Sequence, residues 1–358
     1  MRRTAVTLVA AAGLIAGPVG QAAAAGSWTE EPVPTSPDSG MLTSAGSAAG
    51  ESWAFGFISE TSPDATSAVY RKGEQGWQQV PIENIGELVD GAVLAPDDIW
   101  TIGIPTKTKP GGVAHWDGQG WTRVDLAGPP GAPPQALALK AFAPDDVWTV
   151  GGAGRGIAQH WDGQAWTDVP VPDLAEHDYE AWKLMDVDGV ASDDLWSVGY
   201  SDWPTGNRTI ALHWDGSAWT EMPVPDANED PAVREVLDNV LALAPNDVWV
   251  GGYSSVQGDE VPFTAHWDGQ AWKVFDLGGT GTITQLLQVG DQVQLFGVVG
   301  SDASFRRGWD GTGWQELPAP PAVRVHGATV QDDGTVLGVG NGPGEGTAFE
   351  PYTATYRE

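Results

Sequence analysis

The heptapeptide HWDGQAW occupies residues 160–166 and recurs letter for letter at 266–272, with near copies at 115–121 (HWDGQGW) and 213–219 (HWDGSAW). Asp-Gly between two apolar runs predicts a tight β-hairpin, because such a turn needs a positive φ that Gly accepts freely. A loop of two residues or of four puts Trp161 and Trp166 on one side of the hairpin and His160 on the other. We therefore expect each Trp pair to pack against one neighbouring sheet and each His against the next.

The last Trp of the heptapeptide marks a long repeat. It recurs at Trp77, Trp121, Trp166, Trp219, Trp272 and Trp314. A second phrase precedes the central copies, as APDDIWTIG (95–103), APDDVWTVG (143–151), ASDDLWSVG (191–199) and APNDVWVGG (244–252), with weaker copies ESWAFG (51–56) and DQVQLFG (291–297). Each unit of about 45 residues thus contains four short strands, which is the pattern of a β-propeller blade.

The two ends of the chain complement each other. Residues 27–34 (SWTEEPVP) match the last strand of a unit, as in AWTEMPVP at 218–225, whereas residues 324–358 form a unit without its last strand. We therefore predict an all-β fold, a seven-bladed propeller with four-stranded blades, in which strand 26–35 closes the C-terminal blade and removes the open sheet edge. The predicted blades span residues 36–82, 83–126, 136–172, 182–225, 236–277, 282–318 and 323–358.

The repeated polar residues are interpreted as structural. His115, His160, His213 and His266 occupy equivalent places in four blades, so they lie around the ring and do not converge on one metal ion. The Asp pairs of the second phrase, such as Asp145-Asp146, fall in a turn, where Asp makes local hydrogen bonds. A residue that every blade contains serves packing, which every blade requires.

Composition and the N-terminal segment restrict the location and the partners. Residues 1–25 combine Arg2 and Arg3, an apolar run and small residues near Ala25, the pattern of a secretory signal peptide. We expect a secreted protein that uses the general export route rather than the twin-arginine route. The net charge of −31 disfavours nucleic acid and anionic membranes as partners, and zero Cys excludes disulfides and a lipoprotein anchor.

Strands that end in Gly-Gly, an aromatic residue in the third strand and a Trp in the fourth resemble kelch repeats. The longer pattern DDVWTVG…HWDGQAWTDVPVP resembles the repeats of secreted bacterial galactose-oxidase-like propellers of uncharacterised activity, over nearly the whole mature chain. Three related patterns do not fit. The Cys of the galactose oxidase copper site is missing, the Gly-His of WD40 repeats does not occur, and the spacing from Asp162 to Trp166 is too short for a sialidase Asp-box.

Binding residues are expected on the variable loops. These loops join the second and third strands or connect successive blades, and both kinds lie on one face of a propeller. Trp203, in the loop 200–207, stands outside the repeats beside Asp202, Asn207 and Arg208, as in a sugar-stacking platform or a protein-binding hot spot. Further candidate binding residues are Trp182, His177, Tyr179 and Tyr253. The alternatives are that Trp203 caps its own loop, that Trp182 begins an inner strand and that EHDY (176–179) is a solvated loop.

The function expected from these features is binding rather than catalysis. We predict a secreted, monomeric binding module for a glycan or an extracellular protein, with no catalytic residue, no metal and no cofactor. DANED (226–230) resembles a calcium loop but has Pro231 where that loop needs Gly, so calcium is only weakly supported. The alternatives are an extracellular polysaccharide lyase or glycoside hydrolase, favoured by convergence of His177, Tyr179 and Arg208, and a surface scaffold without a small ligand.

Overall fold

A computed structural model describes residues 26–34, 39–59, 65–129, 134–174, 181–202, 208–228, 230, 233–343 and 349–357. In this part of the chain no α-helix occurs, and 28 strands form seven antiparallel sheets of four strands each. The predicted fold, an all-β seven-bladed propeller, is confirmed.

Each sheet is one blade, numbered here in chain order. Blade 1 contains β2 (Ser39–Ala48), β3 (Glu51–Ser59), β4 (Thr66–Gly73) and β5 (Gly76–Gln79). Blade 2 contains β6 (Glu87–Ala95), β7 (Asp98–Ile104), β8 (Gly112–Trp116) and β9 (Trp121–Val124). Blade 3 contains β10 (Ala136–Ala143), β11 (Asp146–Gly152), β12 (Gly156–Trp161) and β13 (Trp166–Asp168). Blades 4 and 5 contain β14 (Ala181–Ala191), β15 (Asp194–Asp202), β16 (Arg208–Trp214) and β17 (Trp219–Glu221); and β18 (Arg234–Ala244), β19 (Asp247–Val256), β20 (Asp259–Trp267) and β21 (Trp272–Asp276).

The remaining blades complete the ring. Blade 6 contains β22 (Thr282–Val289), β23 (Gln292–Val299), β24 (Ala303–Trp309) and β25 (Trp314–Leu317), and blade 7 contains β26 (Arg324–Val330), β27 (Val336–Pro343), β28 (Phe349–Arg357) and β1 (Ser27–Glu30). The first strands of successive blades contact one another all round the ring, including β26 with β2, so they are the innermost strands. The N-terminal strand β1 pairs with β28, with Trp28 opposite Tyr356. The predicted closure by the N-terminal strand is therefore confirmed.

The repeated Asp-Gly turn has four loop residues. Trp161 and Trp166 are direct cross-strand partners, so residues 162–165 form the loop, which decides between the two loop lengths that the sequence allowed. The Asp162 carboxylate accepts the backbone N–H groups of Gln164 and Ala165, both at 2.9 Å. Gly163 has a φ of 88°, which a residue with a side chain rarely adopts.

Aromatic residues fill the seams between blades. Trp100 of blade 2 is 1% exposed and lies 5.6 Å from Trp161 and 6.1 Å from Trp166 of blade 3, measured between ring centroids. His115 stacks on the other flank of Trp100, at 4.3 Å. The Trp pair of one blade thus packs on its predecessor, while the His side faces the successor, as predicted. Because buried aromatic rings dominate core energetics, this arrangement stabilises the seams that contain it.

Two faces of the ring follow from this strand order. The short-turn face carries the turns between first and second strands and between third and fourth strands. The variable face carries the loops between second and third strands and the connections between blades. The described loops on the variable face differ in length from blade to blade, and this difference shapes the site described next.

Candidate binding groove

The four repeated histidines are each held within their own blade. The Nε2 atoms of His115, His160, His213 and His266 lie 2.7–2.9 Å from the Oδ1 atoms of Asp98, Asp146, Asp194 and Asp247. Each Asp begins the second strand of its blade, so the second Asp of the pair pairs with the His instead of serving only the turn. Among the described residues, no group of three His, Asp or Glu side chains is arranged to hold a metal ion.

The predicted binding residues fall into three groups. His177, Tyr179, Trp203 and Asn207 lie outside the described residues. Asp202 is the last residue of β15, and Arg208, the first residue of β16, pairs with Ser201. Trp182 lies on β14, the inner strand of blade 4, and Tyr253 lies on β19, the second strand of blade 5; the side chains of both are described.

Trp182 lies in the core between blades 3 and 4. Its side chain is 5% exposed, and its indole packs directly against Gly156. A Cβ added to this glycine would lie only 1.9 Å from the ring. Its backbone N–H donates to the carbonyl of Gly154, at 3.0 Å. Trp182 therefore lies near the start of the inner strand β14 and belongs to the buried core.

The height of the strands changes abruptly between blades 3 and 4. Gly151, Gly199 and Gly252 occupy equivalent positions in the second strands of blades 3, 4 and 5, because each lies close against the backbone of the first strand of its blade. These glycines therefore mark the same level along the three second strands. Beyond that level the second strand continues for one residue in blade 3, three in blade 4 and four in blade 5. The short hairpin of blade 3 therefore forms a step below blades 4 and 5.

A groove runs along this step on the variable face. Three adjoining depressions of about 200, 720 and 200 Å³ share lining residues, among them Gln135, Gly152 and Pro134. We call them together the Gly-Pro groove, lined by residues 103, 105, 110–112, 134–137, 152–155, 157, 182 and 183. The groove extends from blade 2 across blade 3 to the inner strand of blade 4.

The blade 2 end of the groove is an apolar pocket. Pro105, Pro110 and Pro134 line it together with Gly103, Gly111 and Gly112. The loop that contains Pro105 and Pro110 forms a turn in which the Thr106 N–H donates to the Lys109 carbonyl, at 2.9 Å. Prolines with fixed φ give this pocket a preformed shape.

Lys183, which lines the blade 4 end of the groove, also belongs to a group of tyrosines and charged residues. This group is called here the tyrosine cluster: Lys183, Tyr200, Arg234, Asp238, Tyr253 and Glu260. Lys183 directly faces Tyr200 in the β14–β15 register, and its Nζ lies 4.8 Å from the centre of the Tyr200 ring. The Arg234 guanidinium of blade 5 lies 5.8 Å from the same ring. The two tyrosines are half-buried, and Arg234 and Glu260 are exposed.

Ionisation in the tyrosine cluster is perturbed. Burial raises the pKa of Asp238 to about 6; Glu260 adds to this rise, whereas Lys183 and Arg234 oppose it. Burial, followed by the nearby Asp238, raises the pKa of Tyr253. Perturbed ionisable groups at an open rim make this cluster a candidate functional site.

Tyr253 is the one member of the tyrosine cluster that was also a candidate binding residue from the sequence. A signal was present, because Tyr200 and Tyr253 each follow the recurrent Gly, in SVGY and GGY. Residues 253–262 form a regular hairpin, in which Tyr253 pairs with Pro262 and Val256 pairs with Asp259 around a two-residue turn. Gln257 and Gly258 form that turn with φ values of 54° and 95°, which continue the strands instead of splaying them.

The DANED segment is organised by a buried carboxylate. Glu235 is 2% exposed, and its carboxylate accepts the backbone N–H groups of Ala227 and Asn228, at 3.1 and 2.8 Å, and the Ser254 hydroxyl. Burial raises its pKa. Glu235 thus anchors the connection between blades 4 and 5 beside the tyrosine cluster.

Other perturbed carboxyls join blades along the inner strands. Asp90 of blade 2 accepts the Ser44 hydroxyl of blade 1, at 3.0 Å, and the Leu139 N–H of blade 3, at 2.9 Å. Asp186 of blade 4 accepts the Val240 N–H of blade 5, at 2.8 Å. Burial raises the pKa of Asp90 to about 6 and that of Asp186 to about 7. Because these carboxyls already hold neighbouring backbones, we assign them to the ring and not to the groove.

Comparisons with known proteins define the fold and not the activity. No protein-family model matches the chain, and no curated protein sequence matches it. The solved structure "YCF48 bound to D1 peptide" is similar, with a TM-score of 0.59 and 14% identity, covering 96% of this chain and 100% of that chain. YCF48 from Cyanidioschyzon merolae has a TM-score of 0.61 and 12% identity, covering 92% and 98%.

A WD40 propeller is equally similar in structure. The WD40 repeats of RRP9 give a TM-score of 0.61 with 9% identity, covering 92% of this chain and 97% of that chain. This chain therefore has WD40-like structural neighbours, although it lacks the Gly-His of that repeat. None of the described segments forms a helix with the length and apolarity needed to cross a bilayer.

Proposed function

We propose that this protein is a secreted, non-catalytic binding module that holds an extended polypeptide segment of an extracellular partner in the Gly-Pro groove. The observation that carries the proposal is the continuity of three depressions along the step between blades 3 and 4. A continuous groove suits an extended chain, whereas a compact ligand would need one deep pocket.

The lining of the groove supports a polypeptide ligand. Gly152, Ala153 and Gly154 present almost no side chain, so a bound chain can approach their backbone closely. The proline pocket at blade 2 suits an apolar side chain, and the tyrosine cluster offers aromatic surface with charged groups, as protein-binding hot spots do. A propeller of the same fold, YCF48, has been seen bound to a peptide, which agrees with this proposal.

The proposal is tested by selecting peptides from a phage-displayed random library on the purified protein, from residue 26 onward. Selected peptides are then measured for affinity to Tyr253→Ala, with Tyr352→Ala as the matched control. Both tyrosines are half-buried strand residues toward the variable face, but Tyr352 lies on β28 in blade 7. We expect Tyr253→Ala to weaken binding by about tenfold or more, the effect of removing an aromatic hot spot.

Two results would contradict the proposal. One is a selection that yields only peptides bound equally by wild type and Tyr253→Ala. The other is a glycan array, run in parallel, on which binding is lost in Tyr253→Ala while no peptide is selected. The second outcome would identify the ligand as a glycan.

A further inference from the structure

A separate pocket of about 400 Å³ opens toward the variable face, between blade 7 and the connection that leads into it from blade 6. We call it the blade 7 pocket, lined by residues 28, 30, 321–323, 342, 343 and 350–352. Three strands of blade 7 contribute to it, namely β1, the end of β27 and the start of β28. It shares no lining residue with the Gly-Pro groove, so the two are distinct candidate sites.

Aromatic side chains form a fixed wall of the blade 7 pocket. The Trp28 indole N–H donates to the Pro318 carbonyl of blade 6, at 2.8 Å, which holds the ring across the seam. The Arg306 guanidinium, 1% exposed, lies 5.6 Å from the centre of the Trp28 ring and 4.3 Å from that of Tyr356. The exposed part of Trp28 lines the pocket together with the half-buried Tyr352. This wall is therefore in place before a ligand binds, which lowers the entropic cost of binding.

Two carboxylates line the same pocket. Glu30 is exposed on β1, and Glu350 is partly exposed on β28. In the described part of the chain, neither carboxylate forms an ion pair or accepts a hydrogen bond, whereas the adjacent Glu31 pairs with Lys72. Burial, followed by the charge of Glu30, raises the pKa of Tyr352 to about 12, so Glu30 lies close to this ring. The pocket thus combines aromatic surface with two unneutralised negative charges.

We propose that the blade 7 pocket binds an arginine or lysine side chain of a partner polypeptide. Aromatic faces and carboxylates both attract a cation, and the aliphatic stem of either side chain packs on apolar lining. The lining contains no Lys or Arg, so an acidic group would find no counter-charge there. The net charge of −31 adds a long-range attraction for a basic partner. This site acts independently of the Gly-Pro groove.

The test selects peptides from a phage-displayed random library on Tyr253→Ala, so that binding in the Gly-Pro groove is disfavoured. Selection at about 0.15 M salt suppresses non-specific attraction of basic peptides to the acidic surface. Each selected peptide is synthesised with Arg, Lys or citrulline, the uncharged analogue of Arg, at each basic position. Affinities are measured for the wild type, Glu30→Gln, Glu350→Gln, Tyr352→Ala and the control Glu83→Gln. Glu83 is exposed like Glu30 but lies in the connection between blades 1 and 2. Wild-type-like melting temperatures establish that each variant is folded.

We expect the selected peptides to be rich in Arg or Lys. Citrulline at the critical position should weaken binding by about tenfold, because the ion-pair and the cation–π contacts are both lost. Glu30→Gln and Glu350→Gln should each weaken binding by about three- to fivefold, the effect of one partly exposed ion pair. Tyr352→Ala should also weaken it, whereas Glu83→Gln, which removes the same charge elsewhere, should leave the affinity unchanged.

Two outcomes would overturn the blade 7 pocket as a cation site. One is an equal loss of affinity in Glu83→Gln, Glu30→Gln and Glu350→Gln, which would show that only the net charge attracts the peptides. The other is a selection without basic peptides, or with basic peptides that bind both pocket variants as tightly as the wild type. The groove proposal is judged separately, because peptides in the groove depend on Tyr253 and not on Tyr352.

Discussion

The seam between blades 2 and 3 and the seam between blades 7 and 1 use the same repeat positions with different chemistry. In the first, Trp100 lies between its own His115 and the Trp pair of blade 3. In the second, Leu337 takes the place of that Trp and faces Thr355 in the place of the His. The first seam is an aromatic cluster, and the second has no such cluster among its described residues.

The closing seam combines a buried apolar cluster, which joins Leu337 of blade 7 to Tyr70 and Trp77 of blade 1, with several polar contacts. Lys72 replaces the first Trp of the pair and lies 2.6 Å from the Glu31 carboxylate. The Gly50 N–H donates to Asp332, at 2.6 Å, and the Gln331 amide donates to the Ser52 hydroxyl, at 2.7 Å. A cleft of about 670 Å³ opens there on the short-turn face, and all of its lining residues are glycine, polar or charged.

Blade 1 builds the same arrangement from different residues. Arg71 takes the place of the His, directly opposite Trp53, and its guanidinium lies 5.6 Å from that indole. Glu51 takes the place of the Asp and forms an ion pair with Arg71. The arrangement is thus a donor stacked on an indole and fixed by a carboxylate, and it does not require histidine.

Trp100→Ala, in the aromatic seam, is expected to cause the largest loss of unfolding free energy. Removing a large side chain that is 1% exposed costs about 3–5 kcal/mol, because the cavity collapses only partly. Urea unfolding followed by tryptophan fluorescence measures the loss, with Trp100→Phe as the milder control. A loss below about 1 kcal/mol would show that the aromatic seams do not carry the stability assigned to them.

A buried carboxyl on an inner strand predicts that the stability of the protein depends on pH. Asp186, which links blades 4 and 5, has a folded-state pKa of about 7, above its ordinary value of 3.8. The folded protein therefore binds more protons than the unfolded chain between about pH 4 and pH 7, so the free energy of unfolding falls as the pH rises through this window. At about 1.4 kcal/mol per pKa unit the fall reaches at most about 4 kcal/mol for this group. Asp186→Asn should reduce the slope of stability against pH, and an unchanged slope would exclude Asp186 as its source.

A smaller effect is expected from Asp98→Ala. The Asp98 residue is 8% exposed, and its carboxylate bonds His115 at 2.7 Å and the Trp100 indole N–H at 3.1 Å. Leaving these buried partners unsatisfied costs about 1–3 kcal/mol. Asp97→Ala, at the exposed preceding position, is the matched control and should change stability by less than about 0.5 kcal/mol. Equal losses in both variants would show that Asp98 serves only the turn.

The smallest effect is expected at the closing seam. Lys72 and Glu31 are about one quarter exposed, at 27% and 24%, so their ion pair is partly screened. Lys72→Ala should cost at most about 1 kcal/mol, and less at high salt. The loss of unfolding free energy is measured for Lys72→Ala and for Trp100→Ala in low and in high salt. Only the loss of Lys72→Ala should shrink at high salt, because salt screens an ion pair and not an aromatic contact. A loss as large as that of Trp100→Ala would make closure the dominant source of stability.

The sequence alone determined the architecture. HWDGQAW and its copies identified the blades, their number and the sides on which the Trp and His residues lie, and SWTEEPVP identified the closing strand. A repeat reports these features because equivalent residues experience equivalent packing in every blade. The repeat also predicted a structural role for the histidines, because equivalent positions in different blades are spread around the ring and cannot meet at one site.

Only the tertiary structure decided where the candidate site lies. Tyr200, Lys183 and Arg234 come from three strands of two blades, and no sequence spacing reports that a lysine and an arginine share one aromatic ring. The groove exists because β11 ends one residue past Gly151 while β15 and β19 continue, a difference in strand length that the repeated phrases do not contain. Local patterns determine how each blade folds, whereas the candidate site arises from differences between blades that only the packing of neighbouring blades brings together.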